Sequence, residues 1–393
     1  MNTHYSQRFL AALVVACGLF SATASFSAPA EATPEKGAAQ ADQAKSAEQA
    51  EAEAAQQLKA VQDLLDHEQY EQAVKLLKPL AGKGNAEAMY VLGYLTQQGK
   101  GVKASPRTAC ELFRKAALAG DVRAMTAYGK ALANGQGVKR NFREAANWFQ
   151  KAADQGIAMA QYNLGYLYAH GKGLPKDEAK AAHWFNQAAQ QGLADAQYSL
   201  GWLYLNSTGE LQNDTQAAHW LEKAAEQEHS KAQNNLGYLY AEGRGVPQSA
   251  EKAVLWYTRA AEQGYAIAQY NLGVLYEQGR AGLAQDYDQA FAWYKKAAEQ
   301  NEAAAQYCLG VMYDQGTGVA ANHQEAIRWY RLAAQNGDAD AKKELRAIER
   351  QTPKPAPEKK DSGKKQEKKD SKKDGKKDGK KDGKGREKSP KGQ

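Results

Sequence analysis

Between residues 86 and 345, small and apolar positions recur with two nested periods. The short period is helical. From Ala158 to Tyr168 the residues Ala158, Ala160, Leu164 and Tyr168 fall at helical spacing, and the run stops at His170, Gly171, Lys172 and Gly173. After a turn through Leu174, Pro175 and Lys176, Asp177 opens a second run in which Ala181, Trp184, Phe185, Ala188 and Ala189 recur every three or four residues until Gly192. Asp177 can accept hydrogen bonds from the orphan amides of a helix start, so the pattern predicts a helical hairpin of helix A, turn and helix B. The long period repeats that hairpin. A glycine follows an apolar or aromatic residue at Gly93, Gly129, Gly165, Gly201, Gly237, Gly273 and Gly310, in steps of 36 residues five times and then 37. An aromatic ladder at Phe113, Trp148, Trp184, Trp220, Trp256, Trp293 and Trp329 keeps the same beat. Such periodicity predicts an all-α solenoid of about seven repeats, each burying its apolar face on the next.

A glycine inside helix A costs about 1 kcal/mol against alanine. Its recurrence therefore predicts a close approach of helix B, with the tryptophan ladder filling the space between repeats. The ends read as caps. Tyr70, Ala73, Leu76, Leu77, Leu80 and Ala81 form a lone helix B behind an amphipathic stretch with Leu58, Val61, Leu64 and Leu65, and Ala339, Ala341 and Leu345 form a last helix A without its glycine. Two copies depart from the pattern, both in A-to-B turns. Ser207 replaces the first turn glycine of the fourth copy, and Arg280, Ala281 and Gly282 carry the extra residue of the sixth.

The third copy, Ala158, Ala160, Leu164, Gly165, Tyr168, Gly171, Gly173, Asp177, Ala181, Trp184, Ala188, Ala189 and Gly192, resembles the Sel-one-like repeat family, relatives of the tetratricopeptide repeats. So does the fifth, through Ala232, Leu236, Gly237, Tyr240, Gly243, Gly245, Ala253, Trp256, Ala260, Ala261 and Gly264. The resemblance spans about residues 86 to 345. It implies a right-handed α/α superhelix acting as an adaptor or scaffold, and bacterial relatives of this kind are often exported to serve envelope signalling, polysaccharide secretion or host interaction.

The flanks change composition sharply. Residues 1–24 read as a secretory signal peptide, with a weakly basic start to Arg8, apolar residues from Phe9 to Phe20, and small residues at Ala22 and Ala24. That apolar run is too short to cross a bilayer, which needs about 20 residues. A rival reading takes Val14, Val15, Ala16 and Cys17 as a lipoprotein box, against which Gly18, Leu19 and Phe20 continue the apolar region. Residues 25–56, rich in Ala, Glu and Gln, read as a tether that turns helical toward its end. The solenoid takes 57–350. Residues 351–393 hold 17 Lys or Arg against 8 Asp or Glu and read as a disordered tail. The chain's net charge of +7 is therefore a property of the tail, since the tether and solenoid together come to about −3. No specific nucleic-acid partner is expected of the fold. The tail either attracts anionic polymers or membrane surfaces by charge or serves as a solubilising extension.

Catalytic and metal chemistry is not legible. Beyond the signal, Cys110 and Cys308 stand five to six repeats apart, on the order of 50 Å at about 10 Å per helix layer, and cannot pair. Cys110 takes the place of Ala145, Ala181 and Ala217, so it is expected to pack as a small buried residue. His183 and His219 occupy equivalent places one repeat apart, too far to share an ion. The stretches Gly93–Gly101 and Gly165–Gly173 only imitate a phosphate loop, and the one S-x-x-K, Ser362 to Lys365, lies in the tail. No enzyme activity, cofactor or metal is expected. The exported relatives connected with β-lactams carry a disulfide in every repeat, which this chain lacks.

What remains is the concave face of the A helices. Tyr162 and Tyr166 form an i,i+4 pair beside Gly165, and the matching ladder holds Tyr90 and Tyr94, Tyr198 and Trp202, Tyr238, Tyr270 and Tyr307. These tyrosines serve either packing or binding. Trp202 stands apart as the one tryptophan off the helix-B ladder, fit to anchor a protein or to stack on a sugar ring. The expected function is an exported adaptor, periplasmic or secreted, holding an envelope protein or peptide in the groove. A peptidoglycan- or polysaccharide-binding module and a β-lactam-interacting enzyme are the alternatives.

Overall fold

The computed structural model describes residues 34–351, and these contain 17 α-helices with two short 3-10 turns and no strand. Helix α1 (Pro34–Asp66) and α2 (Tyr70–Gly82) precede the repeats. Seven A/B pairs follow: α3 (Ala86–Gln98) with α4 (Pro106–Leu118), α5 (Val122–Asn134) with α6 (Phe142–Ala153), α7 (Ala158–His170) with α8 (Glu178–Gln190), α9 (Ala194–Asn206) with α10 (Asp214–Glu226), α11 (Ser230–Glu242) with α12 (Ala250–Glu262), α13 (Ala266–Gln278) with α14 (Tyr287–Glu299), and α15 (Ala303–Gln315) with α16 (His323–Gln335). Helix α17 (Ala339–Gln351) closes the series. The main helix contacts are between chain neighbours, and the buried side chains form four successive clusters, as an all-α solenoid requires. The chain divides into two units. Met1–Leu345 holds the repeats, and Arg346–Gln393 is described through Gln351, where it is helical. The signal peptide, the Cys17 lipoprotein box and the tail with Ser362 lie outside the described residues, while the tether is helix from Pro34 onward. No described helix is long and apolar enough to cross a membrane.

Local chemistry fixes the ends of each helix. Every repeat's helix B has a side-chain cap, from Ser105, Asn141, Asp177, Asn213, Ser249, Asp286 and Asn322 in turn, and most A helices stop at a glycine in the left-handed region, such as Gly171 at φ 62°. The second turn glycine has a steric role as well. A Cβ on Gly173 would lie 2.5 Å from the backbone of Phe142, and Gly101, Gly137, Gly245 and Gly318 come equally close, so these turns are pressed onto the start of the preceding helix B, while Gly209 and Gly282 in the two departing turns are not.

The repeat glycine admits one side chain. A Cβ on Gly165 would sit 2.8 Å from Phe185 Cδ1, and the same approach is made by Phe113, Phe149, Leu221, Tyr257, Tyr294 and Tyr330 onto their glycines. This corrects the aromatic ladder. Phe113 belongs with these buried residues, one position past the tryptophan register, where Leu112 is the equivalent of Trp148. The tryptophans are the outer neighbours. Trp256 is buried, while Trp148, Trp184, Trp220, Trp293 and Trp329 are only half-buried. A helix presents one residue, not two consecutive ones, to a single groove.

Between repeats runs a polar ladder that the apolar periodicity hides. Gln161, Gln197, Gln233, Gln269 and Gln306 are buried, and each side-chain amide donates to a carbonyl in the last turn of the preceding helix B, Gln233 to Ala225 O at 3.1 Å. Each Oε1 accepts from an amide just past the helix B of its own repeat, as from Gln263 at 2.7 Å. Both ends of these buried amides are thereby satisfied.

Candidate binding groove

Helices α7 and α9 set four of the aromatic side chains on one open cavity of about 1530 Å³. Tyr162 and Tyr166 come from α7 and Tyr198 and Trp202 from α9. The far wall is the α10–α11 loop, Glu226 to Ser230, with Arg259, Glu262 and Gln263 beyond it. Trp202 is 47% exposed and is the largest of the few big apolar side chains left open to solvent among the described residues. It sits in the helix whose turn departs from the pattern. Ser207 ends α9 in an extended conformation, is buried, and donates from Oγ to Glu178 Oε2 at 3.1 Å, and Asn206 donates to the Trp202 carbonyl at 2.9 Å.

A polar cluster stiffens the floor of the groove. The Ala232 amide donates to His229 Nδ1 at 3.2 Å, which assigns the ring proton to Nε2, 3.4 Å from Asp195 Oδ1. Tyr198 stacks on this imidazole, with ring centres 4.6 Å apart and planes 21° apart. The hydrogen bond from His229 holds the Asp195 carboxyl below the ordinary carboxylate range. Tyr162 rests on Phe185 with ring centres 5.8 Å apart, and burial pushes its phenol up. The wall carries carboxylates at Glu226, Glu228 and Glu262 and cations at Lys231 and Arg259, so the groove has both signs of charge beside its aromatic floor.

The other predicted groove residues do not line this cavity. Tyr90 is corrected outright: at 7% exposed it is buried against Phe113 and Arg123, its phenol pushed up to about 12 by burial. Tyr94 is half-buried in the first core cluster. Tyr270 and Tyr307 pack half-buried on Tyr294 and Tyr330, each pair with ring centres 5.8 Å apart. Tyr238 is 39% exposed on α11, with the Arg244 guanidinium 6.0 Å from its ring centre. Sequence reasoning passed over Asp195 and His229. The signal was there: the residue before helix A is apolar at Ile157, Leu193 and Tyr265, and His229 replaces it in the one copy between. His183 and His219 are exposed and meet only the edges of Trp184 and Trp220. Among the described residues no group of three or more His, Cys, Asp or Glu could hold a metal ion.

The Sel1 repeat pattern matches seven consecutive segments, 86–121, 122–157, 158–193, 194–229, 230–265, 266–302 and 303–338. The chain belongs to the Sel1 repeat family. Its helix pairs resemble two solved structures well above the level of shared fold. One is a protective antigen present in uropathogenic Escherichia coli strains and displaying an SLR fold (36% identity, TM-score 0.64, 71% of this chain and 60% of that one). The other is a Sel1 repeat protein from Oxalobacter formigenes (34% identity, TM-score 0.58, 70% of this chain and 80% of that one). The chain thus spans three fifths of the length of the E. coli antigen. No curated protein matches it. Sel1 repeat solenoids are in general protein-interaction scaffolds and in general not enzymes.

Proposed function

We propose that this Sel1 repeat chain is an exported adaptor that holds an envelope protein or an extended peptide of one along the α7/α9 groove. The observation that carries the reading is Trp202, half-exposed above a cavity in which Tyr162 and Tyr198 are braced by ring contacts with Phe185 and His229. A rigid floor with one large free aromatic is the arrangement of an interface anchor, because little side-chain entropy is lost on docking. Export rests on the apolar run Phe9–Phe20 behind a basic start.

The test is photo-crosslinking from position 202 in the native envelope, followed by affinity measurement on the captured protein. Trp202→Ala is expected to weaken that complex by about 2 kcal/mol or more, roughly thirtyfold, with the thermal midpoint unchanged. Capture of nothing but glycan, or a Trp202→Ala chain that unfolds, would overturn the proposal.

A further inference from the structure

Behind Tyr166, on the α5 side of the groove, lies a second pocket of about 330 Å³, walled by Lys130, Arg140, Lys172, Asn163, Phe142 and Tyr166. No carboxylate lines it. Its three cations make no ion pair among the described residues, although the same turn position finds one elsewhere. Lys100, Lys172 and Arg244 each reach the first residue of the preceding helix B, while Arg280 pairs with Glu242 at 2.8 Å. Arg244 there meets Asp214 through two bonds of 2.8 and 3.0 Å, whereas Lys172 meets Phe142 and donates only to Tyr166 Oη at 3.0 Å. Lys130 is a second departure. It follows the repeat glycine, a place held by Tyr94, Tyr166, Trp202, Tyr238, Val274 and Val311 in the other six copies. Arg140, with its guanidinium 5.5 Å from the Phe142 ring centre, adds a planar fork suited to an oxyanion. The amide Nδ2 of Asn163, in the wall, is buried without a hydrogen-bond partner, so the pocket offers surplus donors as well as surplus positive charge.

We infer that this pocket takes the carboxylate of an acidic residue, a Glu or Asp side chain or a chain terminus, of a peptide lying in the groove. The inference rests on the adaptor reading, and the link between them is Tyr166, which walls both cavities. A peptide crossing Tyr162 and Tyr198 can turn its acidic residue past Tyr166 into the cations. The carboxylates Glu226, Glu228 and Glu262 lie along the groove itself and repel a second one there. The charge pattern therefore sets a direction for the bound segment.

The test uses the full chain and a Ser/Gly peptide ending in two glutamates, with a benzophenone amino acid beside them and a glutamine-ended peptide as control. Photolabelled residues are mapped by mass spectrometry, which separates the pocket from the lysines of residues 351–393. Labelling is expected at Tyr166 and Phe142, falling about tenfold in Lys130→Gln and Lys172→Gln and restored by Lys172→Arg, with circular dichroism unchanged. Labelling that ignores these variants, or that is equal for the glutamine peptide, overturns the inference. So does saturable binding of inorganic phosphate in the pocket without any labelling by the glutamate peptide, which would make it a phosphate site. Capture of a native partner that weakens with Trp202→Ala but not with Lys172→Gln refutes the carboxylate anchor and leaves the adaptor reading standing.

Discussion

The contact between Gly201 and Leu221 can be taken apart with a double-mutant cycle. Leu221 is fully buried, and a Cβ on Gly201 would lie 2.8 Å from its Cγ and 3.1 Å from the Ala217 carbonyl. Leu221→Ala empties the space between α9 and α10 and is expected to cost about 3 to 4 kcal/mol, within the range for buried leucines. Gly201→Ala gains about 1 kcal/mol of helix propensity but overpacks the leucine by about 2 kcal/mol, leaving a loss of about 1 kcal/mol. Separate effects would then sum to roughly 4 to 5 kcal/mol. In the double variant the new methyl group enters the volume the leucine vacated. The overpacking largely disappears, the propensity gain survives, and about 1 kcal/mol of apolar burial returns, so the net loss is expected near 2 kcal/mol, below that of Leu221→Ala alone. The residual contact to the Ala217 carbonyl keeps the relief from being complete. Urea unfolding followed at 222 nm on the four chains reads these differences, and amide exchange in α9 and α10 shows whether the loss is local, as nearest-neighbour coupling requires. Additivity within about 0.5 kcal/mol, or a double variant less stable than Leu221→Ala, would refute the account of why the glycine recurs.

Three other outcomes follow from the same structure. Gln233→Leu removes a buried amide that donates to Ala225 O and accepts from Gln263, and should destabilise the chain by about 2 kcal/mol, whereas Gln263→Leu, losing an exposed partner, should cost less in the same urea titration. Asp195 is held below its ordinary pKa by His229, so its contribution to stability is present above about pH 4 and is lost as the pH falls through the folded-state value; Asp195→Asn should flatten that part of the acid limb and leave stability at neutral pH less dependent on position 229. The Cys308 thiol, half-buried, is pushed up to about 12 chiefly by burial, so iodoacetamide at pH 8 should modify it far more slowly than a free thiol, and Cys110, 5% exposed, more slowly still in the folded state.

The sequence by itself determined the repeat, its length, the two helices of each copy and the turns between them, because helix periodicity, capping residues and turn glycines are local signals that seven copies restate. It also marked Trp202 as a departure and the fourth-copy turn as unusual. Two things needed the tertiary structure. One was which of two adjacent residues fills the space over each glycine: Trp184 and Phe185 lie about 100° apart on the same helix, and only the docking of helix B onto Gly165 decides that Phe185 goes inward while Trp184 stays half-buried. The other was what gathers across repeats. Tyr162, Tyr198 and His229 meet in one groove, Tyr90 does not, and Lys130, Arg140 and Lys172 converge from two different copies, because stacking sets which side chains face each other and a one-dimensional pattern records only the spacing within a copy.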